Sequence, residues 1–276
     1  MSWHARLQLS YTHQVPRTVA RFLHDGPLRI LQSLYPEGDG ICHNVLVHPP
    51  GGIVGGDHLD IAVDMGPGAH GLITTPGATR FYRSQGETGL QTTRLALQAG
   101  ARLEWLPLEA ICYSGCLAEN RLRCELAPGA ELLGWDITAL GLPHADQPFE
   151  RGQLLQQLEV PGVWLERGRI AADDRLLLDG PLGLAGQRCL ATVFFVAGSA
   201  LGRERREQAL DAARAVIEDH ALRDSAGATS PEDRVLVVRI LGPVVEPVMD
   251  LARRLRAAWR EQLWALPGVA PRIWAM

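Results

Sequence analysis

Polar and apolar positions alternate with a period of two over much of the chain. From Trp3 to Tyr11, Trp3, Ala5, Leu7, Leu9 and Tyr11 fall on one face, while His4, Arg6, Gln8 and Ser10 fall on the other. Successive strand side chains point to opposite faces, so this is a half-buried strand. Leu59, Ile61, Val63 and Met65 alternate with Asp60, Ala62 and Asp64 in the same way, and Arg121 to Leu126 repeats the pattern. Leu28–Tyr35 and Ile41–His48 read as further strands, divided by the turn-forming run Pro36-Glu37-Gly38-Asp39-Gly40. Leu190–Ala197 and Val235–Leu241 are continuously apolar and rich in β-branched residues, which predicts strands buried on both faces.

A helical period emerges only late in the chain. Glu204–Arg223 carries an apolar stripe of Leu210, Ala213, Val216, Ile217 and Leu222. Pro247–Leu266 sets Val248, Leu251, Leu255, Trp259, Leu263 and Leu266 on one side, and Pro267-Gly268 ends it. The residues between, Ser225–Asp233, read as a polar connection. Strands first and helices afterwards predict a sheet-built body with helices packed on it, not an alternating βαβ fold.

A weak internal repeat sharpens that picture. Ala69–Ala78 can be laid over Ala101–Ala110, and both over Ala130–Ala139, each copy following a glycine. A spacing of about 30 residues suggests stacked rungs. The expected fold is therefore mainly β, a large layered or solenoid-like body of stacked strands with two helices in the C-terminal part, organised as one domain over residues 1–276. Stacking brings Thr74, Thr75, Glu109, Asp136 and Thr138 together, with Glu109 one rung from Gly77 and Thr138, and Asp136 one rung from Thr75 and Pro107. Acidic and hydroxyl groups inside a β body are costly unless they are solvated or occupied by a cation.

The stretch His48-Pro-Pro-Gly-Gly-Ile-Val-Gly-Gly-Asp57 is a shaped backbone feature, with prolines stiffening its start and glycines allowing close approach. It is not a phosphate loop, which needs a lysine before Ser or Thr. The chain has no lysine at all, so every basic residue is arginine. Nor is it a dinucleotide fingerprint, because a strand and not a helix follows.

Composition narrows the function classes further. The net charge of −4, with no basic block, argues against a nucleic-acid partner. No apolar run approaches the length of a membrane span, and no signal-like segment opens the sequence, so a cytoplasmic protein is expected. Five cysteines, an odd and sparse set, read as reduced thiols. Cys112 and Cys116 form a single C-x3-C, and a zinc site ordinarily needs two close pairs. No G-x-S-x-G or H-E-x-x-H motif is present, so no catalytic residues are assigned.

The Gly-rich turn, the segment Thr74-Thr-Pro-Gly-Ala-Thr-Arg-Phe-Tyr-Arg-Ser84 and the ending Pro271-Arg-Ile-Trp-Ala275 together resemble the urease accessory protein family UreD, also called UreH. The resemblance extends from Ala5 to Trp274, and Met276 stands where the family usually has Thr. It implies a non-enzymatic maturation factor, a nickel-insertion chaperone that docks on apo-urease. It also implies work with UreF and the GTPase UreG, and a homodimer formed through the accessory complex. No tightly bound cofactor is implied, only a nickel ion in transit along an internal polar route. By motif match, Asp57, Glu109, Asp136 and Glu166 are the expected polar groups on that route. Glu166 lies in a Trp-x-Glu-Arg segment like the family's, although a strand ion pair with Arg167 or Arg169 reads equally well. Arg80, Tyr82, Arg83 and Trp274 are the expected partner-facing residues, since Arg and aromatic residues are enriched at interfaces. Two other readings stand beside this one. One is a stand-alone metal-dependent hydrolase with Asp57, His58 and Glu109 as ligands. The other is an interaction protein that opens urease without touching the ion.

Overall fold

A computed structural model describes residues 2–275. The chain begins with β1 (His4–Gln14), β2 (Arg17–Asp25), β3 (Arg29–Leu34), β4 (Ile41–Val47), β5 (His58–Met65) and β6 (His70–Thr74). There follow β7 (Thr79–Phe81), β8 (Gly89–Leu97), β9 (Arg102–Leu106), β10 (Ala110–Cys112), β11 (Cys116–Leu126) and β12 (Glu131–Leu142). The remainder comprises β13 (Gln147–Pro148), β14 (Gly152–Val160), β15 (Trp164–Ala171), α1 (Arg175–Asp179), β16 (Cys189–Ala197), α2 (Arg203–Glu218), β17 (Ala226–Glu232), β18 (Val235–Gly242) and α3 (Val245–Trp264).

The strands form two sheets that the chain visits in turn. One runs β15-β14-β11-β8-β5-β1-β2, and the other runs β17-β18-β16-β12-β9-β6-β4-β3 with β7, β10 and β13 attached at its side. Within the central stack β1, β5, β8, β11 and β14 are parallel neighbours, and so are β4, β6, β9 and β12. Each coil contributes one strand to each sheet, so the body is solenoid-like and mainly β. The internal repeat marks the corners of this coil. His70 pairs with Arg102 and Arg102 with Glu131, at the offsets that the repeat alignment sets. Each corner is the same turn: the amides of Ala69, Ala101 and Ala130 donate to the carbonyls of Gly66, Gln98 and Ala127. Gly68, Gly100 and Gly129 carry the positive φ that a β-carbon would oppose.

Two cores result. Leu7, Leu9, Val63, Leu95, Leu132 and Leu140 are among the residues filling the space between the sheets. On the far side of the larger sheet, Trp135, Ile137, Phe195 and Val238 meet Ala213 of α2 and Leu255 and Trp259 of α3. The strand β12 is buried on both faces.

Several local readings shift. Helix α2 stops at Glu218 instead of Arg223, because the chain turns at His220, whose Nδ1 accepts from Leu222 N. Helix α3 starts two residues before Pro247, which sits in the first turn, where the missing N–H has no helical acceptor to lose. A third, five-residue helix, α1, adds to the two expected, with the Asp174 carboxylate accepting from Leu177 N at its start. The stretch read as a polar connection contains β17, an edge strand on β18 whose small and polar residues and Pro231 hid it.

Candidate functional site: a polar layer between the sheets

A row of polar side chains crosses the otherwise apolar space between the sheets. Asp136 projects from β12 into that space with 9% of its surface exposed. Its Oδ2 accepts from Asn120 Nδ2 of β11 at 2.9 Å, and its Oδ1 accepts from Gln156 Nε2 of β14 and from Thr138 Oγ1 at 3.3 Å. Burial pushes its carboxyl up to about 6, against the lowering effect of Thr138 and Gln156. Asn120 in turn accepts from Gln91 Nε2 of β8 at 3.3 Å. Gln91 lines a cavity of about 230 Å³ with His48, Thr75 and Arg80.

The row continues the other way. Asp136 is in register with Thr192 of β16, and Thr192 with Arg239 of β18. Arg239 Nη1 donates to Thr192 Oγ1 at 2.8 Å, and Arg239 pairs with Glu166 of β15 in the facing sheet. Asp136 and Glu166 therefore belong to one layer reaching from the Gln91 cavity to the rim at Arg239. The expected pairing of Glu166 with Arg167 or Arg169 is not the one found. Adjacent strand residues point to opposite faces, so Arg167 and Arg169 stay on the exposed side.

Glu109 is elsewhere. The repeat register holds through Leu106, which pairs with Thr74, but Ala110 pairs with Thr79 and Thr138, one residue out of step with the alignment. The residues Pro107–Glu109 absorb the slip, and a slip of one reverses the face. Glu109 lines a cavity of about 320 Å³ on the helix side, with Cys189 and Glu246 of α3. Its carboxyl is raised by burial and then by Glu246. Thr74 also faces that side, where its hydroxyl donates to Leu106 O and accepts from Trp274 Nε1.

Asp57 closes the Gly-rich turn. Its Oδ1 accepts from Trp3 N at 2.8 Å and its Oδ2 from Val54 N at 3.0 Å, so both oxygens are engaged in joining β1 to the turn. The glycines before it are sterically required: a β-carbon on Gly52 would meet Tyr82 Cε2 at 2.1 Å, and one on Gly55 would meet Glu87 O at 2.6 Å. Tyr82 is half-buried against Gly52 and Tyr113. Arg80 and Arg83 are exposed, and neither forms a salt bridge among the described residues. Trp274 is built into the fold, stacked on Trp135 at 5.4 Å between centroids, with Arg253 over its ring.

The hydrolase reading needs Asp57, His58 and Glu109 to converge. They do not: His58 stacks on His4 and bonds Thr92 on the outer face of the smaller sheet, while Glu109 lies beyond the larger one. Among the described residues, no three His, Cys, Asp or Glu side chains stand close enough to hold a metal ion.

Pattern reading also missed a buried ionic cluster. Glu104 of β9 accepts from Arg256 Nε at 2.6 Å and pairs with Arg260, which also pairs with Glu37; His43 Nε2 lies 2.9 Å from Glu37 Oε1. Glu104 and Arg260 are fully buried. The signal was present: Glu104 interrupts an apolar run, and two arginines four apart share the apolar side of α3.

Fold and site together define a mainly-β protein, a coiled two-sheet body with a polar layer through its interior and helices clasped to one face. A family model described as UreD urease accessory protein matches residues 4–275. The chain is 72% identical over 276 residues to the urease accessory protein UreD of Paracidovorax citrulli strain AAC00-1, with all of both chains covered. It is 69% identical to that of Polaromonas naphthalenivorans strain CJ2, again over all of both chains, and 50% identical to that of Methylibium petroleiphilum strain PM1, with 99% of each covered. The chain belongs to the UreD family of urease accessory proteins.

Proposed function

We propose that this chain is a nickel-insertion chaperone that docks apo-urease and, with UreF and the GTPase UreG, passes nickel ions to the urease active site through its polar interior. The observation that carries the reading is the polar row in which Gln91, Asn120 and Asp136 are hydrogen-bonded, Thr192 stands beside Asp136 in register, and Arg239 links Thr192 to Glu166. Oxygen-rich side chains bind a borderline divalent ion less tightly than thiolates or converging imidazoles, so an ion among them keeps moving. Asp136, largely ionised near neutral pH, supplies negative charge midway. Nickel is cargo here, with no resident cofactor, and the chain needs no catalysis of its own; energy for release comes from the nucleotide partner. Asp57 and Glu109 fall outside this row, and the reading rests on Asp136 and Glu166. Arg80, which lines the Gln91 cavity, and the nearby Tyr82 and Arg83 are the surface assigned to a partner. Among the described residues no helix is long and apolar enough to cross a membrane.

The test is urease co-produced with its accessory proteins, with and without this chain. Omission is expected to leave urease intact but poor in nickel and inactive. With the double substitution Asp136→Asn and Glu166→Gln, the accessory complex is expected to assemble while urease nickel falls severalfold. Normal nickel loading without the chain would remove the maturation reading. Normal loading with the double variant would remove the internal route and leave the interaction protein that opens urease.

A further inference from the structure

The polar layer ends at an opening, and a positive charge stands in it. The strands β15 and β17 are the sheet edges at that end. In the register of the layer each of them offers a glycine: Gly168 pairs with Gln156, and Gly227 pairs with Arg239. Paired residues turn their side chains to the same face, so a β-carbon at either glycine would point towards the layer. It would meet no atom within 4 Å at either place, and both glycines are exposed. Neither has the left-handed φ for which glycine is the default, so backbone conformation does not call for them. Arg239 stands in the mouth they leave. Its Nη1 donates to Thr192 Oγ1 at 2.8 Å and its Nη2 to Glu166 Oε1. The Arg239 side chain is 53% exposed and that of Glu166 only 20%, so the guanidinium covers the carboxylate from the solvent side.

We propose that Arg239 is a cation gate over Glu166: while paired, its guanidinium keeps divalent cations off the carboxylate, and when it swings out to solvent it admits them. Two effects close the gate. A guanidinium stays protonated at any pH the protein meets, so it repels an approaching cation. It also occupies the carboxylate oxygen that such an ion would use. One property lets the gate open. The pair lies at an exposed rim, where an ion pair contributes little net hold, and a long arginine stem can carry its head into water without disturbing the strands. Arg239 lies outside both cores, so its movement unpacks neither. With the guanidinium gone, Glu166 and the Thr192 hydroxyl are left as oxygen donors at the end of the row, a donor set suited to weak, reversible binding. Arg239 thus acts through Glu166 and decides when a cation reaches it. That the cation is nickel rests on the nickel-delivery reading; the exclusion of divalent cations from Glu166 does not.

The experiment titrates the full-length chain with Mn²⁺, which favours oxygen donors, and follows the free ion by its EPR signal. Arg239→Met removes the charge and adds no oxygen donor. It is expected to bind Mn²⁺ severalfold more tightly than the unmodified chain. Arg239→Lys keeps the charge and is expected to bind no more tightly than the unmodified chain. Adding Glu166→Gln to Arg239→Met is expected to abolish the gain. Binding elsewhere on the surface is common to all four chains and cancels in the comparison. No gain in Arg239→Met, an equal gain in Arg239→Lys, or a gain that survives Glu166→Gln overturns the gate, whatever urease loading shows. The loading of urease by the Asp136→Asn and Glu166→Gln variant decides the delivery reading separately. Normal loading there, together with the Glu166-dependent gain in Arg239→Met, leaves the gate in place over a site that serves another divalent cation.

Discussion

A carboxyl group sealed between two sheets keeps its proton longer than one in water, and Asp136 is such a group. Its folded-state value of about 6 lies above the ordinary 3.8, so the folded chain binds the extra proton between those limits. The stability this confers is present below pH 3.8 and is lost as pH rises through 6. Relative to Asp136→Asn, the unmodified chain is therefore expected to lose up to about 3 kcal/mol between pH 4 and pH 7.5. Urea unfolding of both chains at the two pH values measures this, and a constant difference would show that Asp136 titrates normally. Asp57 behaves differently, because both its oxygens hold backbone amides of Trp3 and the turn. Asp57→Ala is expected to cost roughly 1–3 kcal/mol, read as a lowered urea midpoint, by orphaning those amides. Sequence pattern identified both carboxylates as unusual. It did not separate the one facing the interior from the one tying a turn, since that depends on which strand lies opposite.

At the scale of elements, helix α3 shows how far a pattern reads. Its apolar stripe was legible from period alone, and Trp259 and Leu263 are buried as that stripe requires. Its attachment was not, because Arg256 and Arg260 find their counter-charges 152 and 156 residues away on Glu104. Removing one member of a buried ionic group leaves the others uncompensated, at a cost of about 3–5 kcal/mol. Glu104→Gln is expected to destabilise the chain by that amount, with α3 exchanging its amides fastest relative to the unmodified protein. A loss under 1 kcal/mol in denaturant titration would mean that the cluster contributes no net hold. The strand β10 carries the complementary lesson: a single-residue slip at Pro107–Glu109 moved Glu109 from the expected layer to the helix side.

For the molecule as a whole, stacked coils concentrate protection at the centre. The strand β12 lies between β9 and β16, buried on both faces, whereas β2, β3, β15 and β17 form sheet edges. Native-state hydrogen exchange is expected to be slowest along Glu131–Leu142 and fastest in the four edge strands; uniform protection would contradict a body organised about β12. The sequence by itself determined the alternation of strands, the late helices, the repeat that marks the corners and the family resemblance. All of these are written in neighbouring residues or in a fixed spacing, which local sterics and burial translate directly. Only the tertiary structure decided which polar groups share a layer. Asp136 meets Asn120 and Gln156, and Glu166 meets Arg239, because two sheets face each other at one register. That register comes from the sum of many long-range contacts, and no local pattern encodes it.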